Sequence, residues 1–431
     1  MRLHRAWLVA GVTFAAMLGA AAFRSAPGVM LDPLHAEFGW SHGTIGAAMS
    51  INMTLYGAMA PFAAALMERF GIRPIATAAL VLIALGAGST IWISSPWQLW
   101  LTWGLFVGLG TGSLSMALVP LVTNRWFVAR RGLVSGILTA ASATGQLIFL
   151  PVVAALTDHH GWRPASVTIA VAALAVVPLV LALMRDHPHD VGTTAYGATD
   201  AEPGQPRSTH VGNSARYALG VLRDAARSPV FWLLAGSFAI CGATTNGLIA
   251  THFIPAAGDH GMPSTVAASL LALIGIFDVM GTVASGWLTD RIDPRLLLVG
   301  YYTGRGVALL LLPSLLSADA SPSTWVFILF YGLDWVATVP PTVALCREHF
   351  GDRAAVVFGW VFAAHQFGAA VAASGAGVLR DLQGSYDLAF YIAAALCVAG
   401  ALLSLSVPRP PSRHTVPPRP EPAVAAPLTK E

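Results

Sequence analysis

Five ionisable side chains lie inside otherwise apolar stretches of the sequence, where lone charges are costly. They are Arg24, Asp278, Arg305, Asp334 and His365. A charge at the centre of a hydrocarbon layer costs about 2.5–3.5 kcal/mol even on the mildest scale, so these side chains must face one another or a wet cavity. An arginine there can bind an anion, and a carboxyl or an imidazole can take up and release a proton. The sequence therefore predicts that the protein's functional chemistry lies in the layer formed by these five side chains.

Two of these residues are predicted to couple protons. Burial in a low dielectric favours the neutral acid, which makes Asp278 the first candidate for a proton carrier. His365 titrates near neutrality without perturbation, so it is the second candidate and also a substrate-binding candidate. The structural alternative for His365 is an imidazole hydrogen-bonded to Gln366 or to a backbone carbonyl.

The two arginines leave two interpretations open. Arg305 either contacts the substrate or forms a structural ion pair with Asp334, because both are expected near mid-depth on consecutive helices. Arg24 either anchors the substrate or pairs with Asp32 near the outer edge.

Two polar loops repeat one sequence pattern across the chain. Residues 64–73 and 286–295 each place an acidic residue directly before an arginine, with another arginine four residues later. Both loops separate two apolar runs, so the chain is a duplicated membrane bundle, and such bundles are mostly transporters. We expect the loop charges to act as a gate between helix ends; they are Glu68, Arg69, Arg73, Asp290, Arg291 and Arg295.

Composition places the chain in the membrane and excludes other classes. Of 431 residues, 55% are hydrophobic and 10% are charged, with a mean hydropathy of +0.66, whereas soluble domains carry about 25% charged residues. A net charge of +3 is too small to indicate a nucleic-acid partner. The three cysteines are far apart, which gives no disulfide framework and no metal-ligand spacing. Lys430 is the only lysine, so the chain lacks the phosphate-binding loop that an ATP-driven pump needs. We expect no metal, no cofactor and no enzyme activity, because no catalytic motif occurs.

Twelve membrane-spanning helices follow from runs of roughly 20 apolar residues. We predict spans at 7–31, 43–67, 75–93, 98–123, 132–156, 164–184, 230–256, 264–288, 296–316, 324–346, 355–379 and 387–407. The predicted domains are a first six-helix bundle (1–184), a solvated cytoplasmic linker with one amphipathic helix (185–229), a second bundle (230–407) and a disordered cytoplasmic tail (408–431). Pro340 and Pro341 should kink helix 10.

Loop charges predict the orientation. If both termini and the linker are cytoplasmic, twenty arginines and lysines lie on that side and only Arg163 and Arg380 lie on the other. This asymmetry satisfies the positive-inside rule, so we expect a multi-pass protein of the cell membrane, in a bacterial inner membrane, that acts as a monomer.

The loop repeats resemble the motifs of the major facilitator superfamily. Residues 70–74 and 124–136, together with Asp278, are further similar to the monocarboxylate transporters and the oxalate:formate antiporter group. The resemblance implies an all-α fold of two six-helix bundles and a small carboxylate as substrate. It also implies that Asn52, Tyr56, Gln146 and Asn246 line the cavity, where they bind substrate or only join helices by hydrogen bonds.

The sequence departs from those transporters at the positions that clamp a carboxylate. Thr282 stands where they carry an arginine one turn after the helix 8 aspartate, Ser25 replaces a helix 1 lysine beside Arg24, and His365 stands at the place of a helix 11 lysine in the oxalate carriers. The clamp has either moved to Arg24 and Arg305 or serves another substrate. We expect a proton-coupled transporter of a small organic anion; the alternatives are proton-driven efflux of drug-like molecules or other metabolites, and a non-transporting membrane sensor.

Overall fold

The protein is almost entirely α-helical in a computed structural model that describes residues 4–23, 26–199, 213–318 and 322–409. Within these residues there is no strand, apart from one isolated bridge between Phe127 and Tyr196. The helices are α1 (Arg5–Ala21), α2 (Ala26–Phe38), α3 (His42–Phe70), α4 (Ile72–Ser89), α5 (Pro96–Leu99), α6 (Gly108–Ser113), α7 (Leu118–Trp126), α8 (Arg131–His160), α9 (Trp162–Leu183), α10 (Ser214–Ala225), α11 (Pro229–Gly242), α12 (Ala250–Asp259), α13 (Ser264–Thr289), α14 (Pro294–Leu315), α15 (Pro322–Asp334), α16 (Val339–Phe350), α17 (Ala354–Gln383) and α18 (Asp387–Leu405).

Nine helical segments of the described residues are long and apolar enough to cross a membrane. One of them runs from Thr324 to Gln383, and its 60 residues would measure about 90 Å at 1.5 Å per residue, far more than a bilayer core of about 30 Å. It turns at Gly351, whose φ of +54° no other residue type adopts easily, so it supplies two spans. Adding α3 and the unit α1–α2 gives the twelve predicted spans.

Within the described ranges, four of the spans are interrupted near their middles. Helix 1 divides into α1 and α2, and helices 4 and 7 contain π-helical stretches at Trp100–Val107 and Ala243–Ile249. In helix 4, α6 ends at Ser113 and α7 begins at Leu118; in helix 10, α15 ends at Asp334 and α16 begins at Val339. The break in helix 10 begins and ends 221 residues after the break in helix 4, so the break belongs to the duplicated unit.

Each half of the chain packs mainly with itself. In the first half, α4 lies on α9 and α1 on α8; in the second, α14 lies on α18, α11 on α17 and α13 on α15. The halves meet along two seams, α8 with α13 and α3 with α17. This is the two-bundle all-α arrangement that the sequence predicted.

The segment after α9 differs from the solvated linker that its composition predicts. Met184 and His187 are buried, and Asp186 accepts hydrogen bonds from the amides of Ile72 and Arg73, which caps α4. Burial and then the nearby positive charge of Arg125 lower the pKa of His187 to about 4. The segment is therefore docked on the first bundle.

Further along the linker, α10 is the predicted amphipathic helix. Asn213 caps it by accepting from the amides of Ala215 and Arg216 at 2.9 and 3.2 Å. The helix packs against α3 of the first half and α17 of the second. It therefore bridges one of the two seams. The predicted tail lies outside the described residues from 410 onward.

Candidate functional site

The break in helix 10, residues 335–338, is the centre of the buried polar layer. Proline has no amide hydrogen, so Pro340 and Pro341 leave the carbonyls of Val336 and Ala337 without their helical donors. The Ser285 hydroxyl of α13 donates to the Ala337 carbonyl in their place. The predicted kink is present, and it lies just before the prolines because that is where the carbonyls are freed.

Arg305 of α14 holds the other carbonyls of the break. Its Nη2 donates to the backbone oxygens of Asp334 and Trp335 at 2.7 and 3.3 Å. Its Nε donates to the Asp334 carboxylate at 2.6 Å. Its Nη1 donates to Cys241 Sγ at 3.1 Å and Thr244 Oγ1 at 3.3 Å. A guanidinium has five N–H groups, so each one has an acceptor, and the geometry favours the ion-pair interpretation over substrate contact in this conformation.

Asp278 of α13 binds the one amide that the break presents to it. Its carboxylate accepts from Val336 N at 3.0 Å and from Thr282 Oγ1 at 2.8 Å, and only 2% of the residue is exposed. Thr282, which replaces the arginine expected from the family, is thus a hydrogen-bond donor to Asp278 rather than its counter-ion. Asp278 and Arg305 together satisfy backbone groups that a broken helix leaves open inside a membrane.

His365 of α17 lies on the far side of Cys241 from the break. Its ring packs between Phe238 and Phe362, with centroids 4.8 and 5.8 Å away. The residue is buried, and its Nδ1 has no hydrogen-bond partner among the described residues. Cys241 joins the two sides, because it forms a hydrogen bond with the His365 side chain and its sulfur also lies 3.1 Å from Thr338 Oγ1.

The other substrate-binding candidates are spread over both halves. Asn52 donates to the Trp103 carbonyl at 2.8 Å, which joins α3 to helix 4, and Tyr56 packs edge-on against Phe362 across the α3–α17 seam. Gln146 and Asn246 are half-buried, the latter in the π-helical stretch of helix 7. Arg24 lies outside the described residues. The structure brings Asp278, Arg305, Asp334 and His365 around the break and leaves the others apart from it.

Four partners of this layer were missed from the sequence: Cys241, Thr244, Ser285 and Thr338. They are uncharged and look like ordinary packing residues. Ser285 carried a signal, because it lies seven residues after Asp278 and therefore on the same face of a helix. The Pro340–Pro341 pair gave the other signal, since it predicts carbonyls that require donors from elsewhere.

The loop repeats lie at one end of the molecule, which we call the repeat end. There Asp290 crosses between the bundles and accepts from the amides of Gly132 and Leu133 at 2.7 and 2.9 Å. These amides belong to the first turn of α8, so Asp290 caps a helix of the other half, where a negative charge is favoured.

The remaining gate candidates make contacts within their own half or with the linker. Arg69 and Arg291 lie over the rings of Phe70 and Trp287, and Arg295 binds Asp293 at 2.6 Å. Arg73 lies in the α4 turn capped by Asp186.

Glu68 lies just beyond the predicted span 43–67, in the last turn of α3, and it contacts the linker helix. Burial raises the pKa of Glu68 to about 7, while a hydrogen bond from Tyr217 of α10 and the charge of Arg125 act in the opposite direction. Its Oε2 has no partner among the described residues.

Glycines show where the two halves approach most closely. A Cβ on Gly286 would lie 2.4 Å from the Gly132 carbonyl, and one on Gly359 would lie 2.6 Å from Pro61 Cα. At mid-helix, a Cβ on Gly275 would still meet Leu147 at 3.3 Å. Among the described glycines, the closest approaches between the two halves lie at or on the repeat-end side of the helix midpoints, so the halves are closed against each other at that end.

Comparison with known proteins decides the family. The sequence model of the Major Facilitator Superfamily matches residues 12–373. The chain belongs to the major facilitator superfamily. It is 24% identical over 389 residues to a Bacillus subtilis protein described as the uncharacterized MFS-type transporter YcxA, covering 89% of this chain and 90% of that one. It is 27% identical over 424 residues to mouse monocarboxylate transporter 11, covering 94% and 87%.

Solved structures of the superfamily share the fold. The E. coli fucose:proton symporter FucP matches with a TM-score of 0.66 at 16% identity, covering 94% of this chain and all of that one. The proton:xylose symporter XylE matches with a TM-score of 0.68 at 14% identity, covering 94% and 97%. The predicted family and fold class are confirmed, and the chain is a multi-pass membrane transporter rather than an enzyme.

Proposed function

We propose that this superfamily member is a secondary active transporter that carries a small organic carboxylate together with protons by alternating access. The relatives named monocarboxylate transporters support the substrate class. Two proteins of the same fold whose structures are solved, FucP and XylE, are proton symporters, which agrees with the coupling ion. The substrate site lies between the bundles at the level of the helix 10 break.

The observation that carries the proposal is the bond from the Val336 amide to Asp278. An ionised carboxylate only accepts hydrogen bonds, whereas a protonated one has an O–H that must find an acceptor of its own. Protonation of Asp278 therefore weakens its hold on the break in helix 10. This links proton uptake to the shape of a helix that Arg305 also holds, so the proton and the conformation are coupled through one short segment.

The anion anchor follows from the use of each arginine. The five N–H groups of Arg305 donate to the break, to Asp334, and to Cys241 and Thr244, so we assign Arg305 a structural role in this conformation. Arg24 is then the proposed anchor, on sequence grounds, and Asn52, Tyr56, Gln146, Asn246 and His365 are proposed to line the path. A bound anion near Asp278 favours its protonated form, so proton and anion bind cooperatively.

We assign the repeat end to the cytoplasm on the positive-inside rule, in a cell membrane of the bacterial inner-membrane type with both termini cytoplasmic. We propose domain bounds at 184, 229 and 407; α9 ends at Leu183, α11 begins at Pro229 and α18 ends at Leu405. A molecule closed at its cytoplasmic end is either outward-facing or occluded. We propose that it works as a monomer.

Uptake by proteoliposomes tests this function. Labelled small carboxylates should accumulate when the outside is more acidic than the inside, and accumulation should stop when the pH gradient is collapsed. The Asp278→Asn variant mimics the protonated form and cannot release a proton, so it should exchange substrate for substrate yet lose accumulation. Normal accumulation in this variant would remove Asp278 as the proton carrier and make His365 the leading candidate. If none of the labelled carboxylates is taken up, the proposed substrate class is wrong.

A further inference from the structure

Three metal-ligating side chains come together just after α9, outside the transport site. His187, His189 and Asp190 lie in and before the 3₁₀ turn Pro188–Val191, and their ligand atoms all lie within 4.8 Å of one another. His189 Nε2 is 3.4 Å from Asp190 Oδ1, and His187 Nδ1 is 3.9 Å from Asp190 Oδ2. Ligands of a tetrahedral zinc ion with bonds of 2.0–2.1 Å are about 3.3 Å apart, so small side-chain rotations close the set.

His187 is the second, independent observation. Only 4% of the residue is exposed, and neither ring nitrogen has a hydrogen-bond partner in the described part of the chain. Buried polar atoms without partners are rare and costly, and an absent ion or water is a standard reason for one. The ring lies beside that of His189, with centroids 5.1 Å apart and planes at 30°. A buried imidazole with unused nitrogens thus stands next to two exposed ligands.

We propose that His187, His189 and Asp190 bind one divalent transition-metal ion, with Zn²⁺ the best match and water in the fourth position. Two imidazoles and one carboxylate form a known zinc ligand set. This departs from our expectation of no metal site, which rested on the spacing of the cysteines. The motif His-Pro-His-Asp is too short and too local to be recognised from sequence as a metal site.

The charges around the turn favour a bound cation, and the position of the turn indicates what the cation would stabilise. Asp190 Oδ2 already accepts from the His187 amide at 3.0 Å, which holds the carboxylate in place as an outer contact would. Arg125 is the positive charge near His187, and Asp186 and Asp190 are two negative charges against it. All three ligands lie within residues 187–190, so a bound metal would stiffen the turn that directly follows Asp186, the residue that caps α4.

Zinc binding to the full-length protein tests this site. Tag-free protein in detergent, dialysed against Zn²⁺ and then washed, should retain one equivalent and unfold at a higher temperature than chelator-treated protein. His189→Ala and Asp190→Asn should each lose that equivalent and the thermal shift, and both leave the buried His187 in place. Cobalt in the same site should give the visible absorption of a four-coordinate ion.

The matched control is the exposed pair His159 and His160 at the end of α8, whose rings are 6.5 Å apart. A variant with both changed to alanine should bind zinc as the unaltered protein does. The proposal is overturned if the unaltered protein retains no zinc, if the His189 and Asp190 variants retain as much as it does, or if the His159 and His160 variant loses it. None of these results depends on which substrate the protein transports.

Discussion

Arg305 shows how a charge inside a membrane protein can be committed to the fold. Its guanidinium meets two backbone carbonyls, a carboxylate, a hydroxyl and a thiol, and 1% of the residue is exposed. An arginine anchored in this way fixes the carbonyl side of the helix 10 break. It reaches the substrate only if Asp334 or the break first releases it.

Removing Arg305 alone should lower the free energy of unfolding far more than removing Arg305 and Asp334 together. Arg305→Met leaves Asp334 buried and unpaired, which typically costs about 3–5 kcal/mol, while replacing a whole buried pair by apolar residues is often close to neutral. We therefore expect the unfolding temperature in detergent to fall sharply in Arg305→Met and to recover in Arg305→Met with Asp334→Leu. Full transport by the double variant would leave Arg24 as the sole anchor.

The exposed pair of Arg163 and Glu37 is the control for that experiment, since its 2.6 Å contact lies in solvent and surface pairs contribute little. Arg163→Met should leave the unfolding temperature nearly unchanged. A double Arg305 and Asp334 variant that is stable yet cannot bind substrate would instead place Arg305 in the binding site.

At the scale of elements, the sequence predicted the spans well and their interruptions poorly. Hydropathy alone places α4, α9 and α18 within a few residues, because a bilayer core demands a fixed apolar length. The breaks depend instead on distant partners, such as Ser285 for the Ala337 carbonyl. Only the break in helix 10 was predicted, from Pro340 and Pro341; Pro120 holds the matching place in helix 4 and was not used. The sequence also did not predict that α10 packs on both bundles, because an amphipathic pattern shows that one helix face is buried but not which surface it packs against.

Asp290 should govern how long the repeat end stays closed. Asp290→Asn keeps one acceptor oxygen but loses the charge that favours a helix N-terminus, an effect of about 0.3–1 kcal/mol, and a lost cap adds up to about 2 kcal/mol. We expect the population to shift toward opening at the repeat end and transport to slow, with membrane insertion unaffected. Accessibility of single cysteines introduced along α8 and α13 measures this shift.

Asp293 provides the comparison, because it lies in the same loop but pairs with Arg295 of its own half. Asp293→Asn should not open the repeat end. Equal accessibility in the Asp290 variant and the unaltered protein would count against the gate.

The docking of α10 should depend on pH through Glu68. When α10 is docked, the pKa of Glu68 is raised from 4.5 to about 7, so the docked state holds a proton that a solvated carboxyl would have released. The facing groups are Tyr217, Arg125 and Asp352. Stabilisation of docking is thus complete below about pH 4.5 and is lost as the pH rises through about 7.

Hydrogen exchange of the α10 amides tests this dependence. Exchange should accelerate from pH 6 to pH 8 by more than its intrinsic pH effect in the unaltered protein, and Glu68→Gln should abolish that excess. Asp224→Asn, an exposed carboxylate of α10 that pairs with Arg353, should retain the excess. An excess that survives in Glu68→Gln would assign the pH response to another group.

At the scale of the whole molecule, duplication explains the layout but not the chemistry. The breaks in helices 4 and 10 occur at matching places, yet only the second half surrounds its break with Asp278, Arg305 and Asp334. The first half has Tyr56 and Ser113 in the corresponding places and a small cavity lined by Tyr56, Thr111 and Met116. The sequence alone shows where these charges lie along the chain, and the repeat gives their depth. It could not assign their partners, which depend on how α13, α14 and α15 rotate against one another.

Alternating access requires the repeat end to open, and the glycine crossing of α8 and α13 gives a steric test of that motion. A Cβ on Gly286 would lie 2.4 Å from the Gly132 carbonyl, closer than real side chains approach, so Gly286→Leu cannot keep this seam closed. Overpacking costs about 1–3 kcal/mol, which shifts a two-state ratio by roughly 5- to 150-fold. We expect the variant to fold, to expose introduced cysteines at the repeat end and to lose most of its transport. Gly300→Leu on α14 is the control, since nothing lies within 4 Å of a Cβ there, and it should transport normally. If Gly286→Leu transports as well as Gly300→Leu, the α8–α13 seam does not close during the cycle, and the two-bundle rocking motion would have to be replaced by one that leaves this crossing open.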